Sequence, residues 1–248
     1  MGGLMNRRQF VYASAAGAVT FARGRELLAA DAADYDLIVK GGLVIDPSLQ
    51  LNAIRDVAIT GGRIVAIEAD IATDAAEVID ATGKIVVPGL IDVHTHYGQD
   101  EEGPRVGLAG GVTGWVNAGS AGADQIDDIA AVARSAPQPA RVLINIGRAG
   151  ILSDGDTMDL RLADVDAAKA AVLRNRDVVV GVKARLTRGV AADDVEVLSR
   201  AQEVATSFDL PVMIHMGQTA SPMSTLVVQL TRGDIVTHMF APPPNSII

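Results

Sequence analysis

Val87-Pro88-Gly89-Leu90-Ile91-Asp92-Val93-His94-Thr95-His96 divides the chain into two kinds of pattern. A Pro-Gly break is followed by a short apolar run, the signal of a buried strand, and the run closes on a His-x-His pair. Upstream, from Tyr35, short apolar segments alternate with glycine pairs: Asp36–Lys40, Gly41-Gly42, Leu43–Asp46, then Val57–Thr60, Gly61-Gly62, Arg63–Ile67. This spacing predicts hairpins, three strand pairs in a small β-sandwich over residues 33–87. Downstream the pattern becomes apolar strand, polar loop and amphipathic helix, repeated. Strands are expected at Gly89–His94, Thr113–Asn117, Val142–Ile146, Val178–Lys183, Val212–His215 and Ile235–His238, with helices over Asp124–Arg134, Ala163–Leu173 and Asp194–Ala205. Repeated units of one kind suit an incomplete (β/α)8 TIM-type barrel over residues 88–248, with about six of its eight strands, better than a doubly wound sheet. The expected fold class is therefore α/β.

Composition narrows the function. Of 248 residues 49% are apolar, enough for a substantial core. A net charge of -9 leaves no basic face to displace phosphate counterions, so nucleic acid is excluded and small molecules or other proteins are the expected partners. Cysteine is absent, so any metal must be held by histidine, carboxylate or a modified lysine. Asn6-Arg7-Arg8-Gln9-Phe10, a small apolar run from Val11 to Ala22 and the small residues before Asp31 predict an export signal of twin-arginine type over residues 1–32. That signal implies a periplasmic protein; the alternative is the frayed helical N-terminus of a cytoplasmic one. No segment reads as transmembrane.

The chain has four histidines, His94, His96, His215 and His238, and each falls at the C-terminal end of an expected strand or just beyond it. In a barrel those ends converge on one face, so the four would become neighbours there. The two-residue period of His94-Thr95-His96 places both imidazoles on one side of an extended strand, as chelation of one ion requires. A single histidine at a strand end is more often a hydrogen-bonded residue than a ligand; the argument for metal rests on all four together. Lys183 follows Val178-Val179-Val180-Gly181-Val182 and is expected to end a buried strand. There a desolvated amine either takes up carbon dioxide as a carbamate or reaches out to water from the barrel mouth. Arg185, Arg148 and Asn117 are candidate substrate contacts, the arginines because guanidinium suits carboxylates; solvated loop charges and a strand terminator are the competing readings.

The decamer from Val87 to His96, preceded by Ile79-Asp80-Ala81-Thr82-Gly83-Lys84, closely resembles the signature of the amidohydrolase superfamily that includes dihydroorotases, hydantoinases and D-aminoacylases. Asn117-Ala118-Gly119-Ser120, Val180-Gly181-Val182-Lys183-Ala184-Arg185, Val212-Met213-Ile214-His215-Met216-Gly217 and Asp234-Ile235-Val236-Thr237-His238 are similar to its amidohydrolase/deacetylase branch. The resemblance implies that His94 and His96 hold one ion, His215 and His238 a second, and that carboxylated Lys183 bridges them. Zinc, one or two ions per chain, is the implied metal, with carbon dioxide needed for the lysine. The ions would activate water against an amide, cyclic amide or N-acyl bond, with an ester as a variant. The family also supplies an aspartate after strand eight, whereas this sequence ends at Ala241–Ile248, soon after the sixth expected strand. Two further expectations follow: a catalytically dead remnant that only binds metal or another chain as the alternative to an active hydrolase, and association or homo-oligomer formation through the open barrel edge.

Overall fold

A computed structural model describes residues 34–72, 74–98 and 102–240. The expected export signal and the final eight residues lie outside the described residues. The chain divides between Val86 and Val87 into two compact units.

The first unit is a single five-stranded sheet of β1 (Tyr35–Asp46), β2 (Leu51–Thr60), β3 (Arg63–Glu68), β4 (Ala75–Asp80) and β5 (Ile85–Val86). Its order is β3-β2-β1-β4, and β5 also pairs with β1. The Gly61-Gly62 hairpin forms as expected, with both glycines at positive φ, 59° and 72°, as a two-residue turn between twisted strands requires. Gly41-Gly42 does not turn the chain. Val39 pairs with Val57 and Gly42 with Arg55, so β1 carries one extra residue there and continues as a bulged strand. Asp56 fixes the bulge: its carboxylate accepts the Gly41 N–H at 2.8 Å and the Ile71 N–H at 3.0 Å, and pairs with Lys40 at 3.5 Å. Because β1 runs on, β4 pairs in parallel with its first half and β5 with its second. The expected sandwich of hairpins is thus one sheet, packed on Ile38, Ala58 and Ile71.

The second unit is a six-stranded parallel sheet in the order β11-β10-β9-β8-β7-β6. Its strands are β6 (Leu90–Thr95), β7 (Val112–Asn117), β8 (Ala140–Asn145), β9 (Val179–Leu186), β10 (Val212–Met216) and β11 (Ile235–Thr237). Between them lie α1 (Glu102–Ala109), α2 (Ile126–Ser135), α3 (Val165–Arg174), α4 (Asp194–Ser207) and α5 (Met223–Val227). Asp164 and Asp193 cap α3 and α4 by accepting backbone N–H groups of Ala167, and of Val195 and Glu196. Helix α4 buries Val197, Leu198, Ala201, Val204 and Ala205, a stripe at helical spacing; each large apolar side chain there contributes about 1.5–3 kcal/mol.

Strand alternation then decides which side chains face the helices and which face inward. On β9, Val182, Ala184 and Leu186 join the core against the helices; on β10, Val212, Ile214 and Met216 do the same. The intervening Lys183, Arg185 and His215 face the other way. The sheet is curled into an incomplete barrel: β6 and β11 are its two edges, yet Thr237 Oγ1 lies 3.0 Å from His94 Nδ1. Among the described residues no helix is long and apolar enough to cross a membrane.

Candidate metal centre

The curl gathers side chains on or just past β6, β8, β9, β10 and β11 around a cavity of about 270 Å³, lined by His94, His96, Lys183, Arg185, His215 and His238 together with Gly119, Asn145 and Ile151. His94 and His96 have ring centroids 5.7 Å apart, His94 and His238 5.0 Å, and His215 and His238 4.3 Å. His238 lies one residue past β11 at φ +66°, a backbone conformation unusual for a side chain with Cβ and one that turns its ring inward.

Burial, followed by the Lys183 charge and the neighbouring rings, lowers His94 to about 4; burial and then His238 and Lys183 lower His215 to about 3. His96 and His238 are lowered by burial first and Lys183 second. All four imidazoles are therefore neutral at pH 7, the form that donates a lone pair to a cation. Two hydroxyls orient them. Ser120 Oγ sits 2.8 Å from His96 Nδ1 and Thr237 Oγ1 3.0 Å from His94 Nδ1, which engages each Nδ1 and leaves Nε2 available.

Lys183 does not end its strand. β9 continues to Leu186 because β10 pairs with it through Met216, so Lys183 sits in mid-strand and is 3% exposed. The route to water considered from the sequence is thereby closed. Among the described residues the one hydrogen-bond contact of Nζ is the Met213 sulfur, at 3.5 Å. Burial, and then Arg185, brings the amine down to about 8.

Two other expectations change. Asn117 is buried and its hydrogen-bonding capacity is used internally: Oδ1 accepts Gly119 N at 3.0 Å and Ser120 N at 2.8 Å, while Nδ2 donates to Tyr97 O and Ser120 Oγ. It shapes the loop that presents Ser120 to His96 and is not a cavity residue. Arg148 is engaged by Asp124 at 2.9 Å and Asp164 at 3.2 Å, away from the cavity. Arg185 alone of the three lines it. Ser120, Thr237 and Asn145 were not singled out individually from the sequence, since hydroxyl and amide residues next to strand ends are too common to carry a signal.

The donor set fits divalent cations: four neutral imidazoles and a buried amine with no ion-pair partner among the described residues face one space. Among the described residues no three histidine or acidic groups are already gathered tightly enough to enclose an ion.

Residues 77–195 match the model of the amidohydrolase family. A deacetylase of Enterococcus faecalis is 30% identical over 226 residues, 87% of this chain and 59% of the relative. The chain belongs to the amidohydrolase superfamily. A dihydroorotase of Solibacter usitatus is 32% identical over 189 residues, 72% of this chain and 41% of that amidohydrolase. The crystal structure of an adenine deaminase superposes with a TM-score of 0.75 at 29% identity, covering 87% of this chain and 59% of its own. A dihydroorotase structure at 22% identity, TM-score 0.70, shares the fold. This amidohydrolase chain thus spans at most 59% of the length of these relatives.

Proposed function

We propose that this chain carries the metal centre of a hydrolase that cleaves a small-molecule C–N acyl bond, in an amide, cyclic amide or N-acyl compound, with the corresponding ester as a second substrate type. The observation that carries the reading is the convergence of four neutral imidazoles and one buried lysine on a single cavity. His94 and His96 would hold one zinc ion and His215 and His238 a second. Lys183 Nζ, adding to carbon dioxide with loss of a proton, would become an anionic carbamate and so a further ligand for the metal centre. The match to an amidohydrolase model and the likeness to a deacetylase and a dihydroorotase support this reaction class. When bound, the ions would supply a Lewis acid for the acyl carbonyl and a water made acidic enough to react at neutral pH.

The chain's own residues do the positioning. Ser120 and Thr237 fix the ring planes of His96 and His94. The Asn117–Ser120 loop is clamped by Asn117, so Ser120 cannot drift from His96. Gly119 lets that loop pass close over Lys183, where any Cβ would lie 2.4 Å from Lys183 Cβ.

The test is metal analysis of the purified chain, supplied with zinc and bicarbonate, alongside turnover of N-acetyl amino acids and acetyl esters. Close to two ions per chain, falling when bicarbonate is withheld, with hydrolysis, is the expected result. Zinc uptake without turnover would favour the remnant reading, and no zinc uptake would overturn the metal centre itself.

A further inference from the structure

Arg185 is held differently from Lys183, the other lysine or arginine lining the cavity. Its Nη2 pairs with Asp156 Oδ1 at 2.9 Å and donates to Leu152 O at 3.0 Å. Asp156 is only 1% exposed and is itself fixed, by the Leu152 N–H at 2.9 Å and by Asn145 Nδ2 at 3.2 Å. Placing a carboxylate and a guanidinium together out of water is expensive, and replacing such pairs with apolar residues is often neutral or stabilising. Stability alone is therefore a weak reason for this pair. What it does accomplish is orientation. Nη2 is held from two sides, whereas Nη1 makes no hydrogen bond among the described residues, and Nε is buried without a partner. The planar group is pinned at one nitrogen with donors to spare, in a cavity wall.

The charge of that wall points the same way. None of the nine residues lining the cavity is acidic, in a chain whose net charge is -9. Asp156 lies behind Arg185, so the guanidinium is the charged group that the wall presents with donors unspent, and a wall free of carboxylates around it favours an anion.

We propose that Arg185 is the specificity-determining residue of this cavity, positioned by Asp156, and that the molecule bound there carries a carboxylate. The inference deepens the hydrolase reading by naming its substrate class: acylated amino acids and related carboxylate-bearing amides or esters, with Arg185 gripping the carboxylate away from the reacting bond. Arg185 touches the ligand; Asp156 acts through Arg185.

Binding can be measured without metal and without turnover. Isothermal titration of the metal-free chain with N-acetylalanine and with N-acetylalaninamide compares two ligands that differ in carboxylate against carboxamide. A charge-assisted hydrogen bond should make the acid bind about tenfold more tightly or better. Arg185→Gln should abolish the difference, and Arg185→Lys, which keeps the charge but loses the planar fork, should retain part of it. Asp156→Asn, which leaves the guanidinium but loosens its anchor, should narrow it. Circular dichroism confirms that each variant is folded before its affinities are compared. Equal affinity of the native chain for both ligands, no binding of the acid, or a preference that survives in folded Arg185→Gln would each overturn the proposal. Zinc uptake on the same native preparation separates it from the reading it rests on. Uptake without carboxylate preference sinks this inference alone, and preference without uptake sinks the metal centre alone.

Discussion

Replacing Gly119 by alanine tests the packing over Lys183 most directly. Gly119 has φ +84°, and an added Cβ would meet Lys183 Cβ at 2.4 Å and Cγ at 2.6 Å. Gly189 offers the matched control, with φ +79° and nothing within 4 Å of its Cβ position. A left-handed backbone costs an L-residue about 1–2 kcal/mol, and this part is common to both variants. The obstacle at Gly119 is the root of a mid-strand side chain, which cannot swing aside as a flexible tip would. Overpacking should therefore add about 1–3 kcal/mol to Gly119→Ala alone. At about 2–4 °C per kcal/mol for a chain of this size, Gly119→Ala should melt roughly 2–12 °C below Gly189→Ala. Thermal unfolding of the metal-free proteins can be followed by the fluorescence of Trp115, the single tryptophan, which is buried. Zinc content should also fall in Gly119→Ala, because the displaced backbone carries Lys183 with it, and stay native in Gly189→Ala. Equal melting points and equal zinc contents would refute the close approach of loop and strand.

Further outcomes follow from other contacts. Asp56 is pushed up by burial, but the Ile71 and Gly41 N–H groups and Lys40 outweigh this, so its carboxyl titrates below the ordinary 3.8. Its folded value is depressed, so its contribution is fully present above 3.8 and is lost as the pH falls below that toward the folded value. Denaturant unfolding of Asp56→Asn should thus show a deficit of about 1–3 kcal/mol at neutral pH that shrinks in acid, and a pH-independent deficit would show that charge is not the cause. Lys183→Met should stabilise the metal-free chain by on the order of 1 kcal/mol, since it removes a desolvated amine that has only a sulfur contact, while zinc binding is lost. A lower melting point for the metal-free variant would contradict that account. Ser120→Ala should weaken zinc binding about 10- to 100-fold in chelator competition, by freeing His96 Nδ1, with little loss of stability because Asn117 still holds the loop backbone. Unchanged zinc affinity would mean that Ser120 does not orient the ring.

Much of this was legible in local patterns. The apolar runs that became β6 to β11, the helices at 3.6-residue spacing and the histidines at or just past strand ends depend on near neighbours in sequence, and a period of two along a strand already separates core from cavity. Where a stretch must choose a partner far away, local pattern is silent. Gly41-Gly42 and Gly61-Gly62 look alike, yet only the second turns the chain, because Asp56 and the Ile71 backbone, both distant, capture the first as a bulge. Lys183 looks like the end of a strand until β10 extends the pairing past it. Asp156 lies in a loop with no pattern to mark it, and matters only because the fold brings it against Arg185.

The sequence by itself determined an α/β chain with parallel strands, a histidine set suited to a cation, a thiol-free ligand chemistry and the superfamily, since each is written in composition or in a contiguous motif. The tertiary structure alone decided that the sheet curls until its two edge strands meet at His94 and Thr237, that Asn117 and Arg148 belong to the scaffold, and that Arg185 faces the cavity with donors unspent. Curvature, register and the choice among competing polar partners are settled by long-range packing, where the cost of leaving a buried polar group unpaired outweighs any local preference.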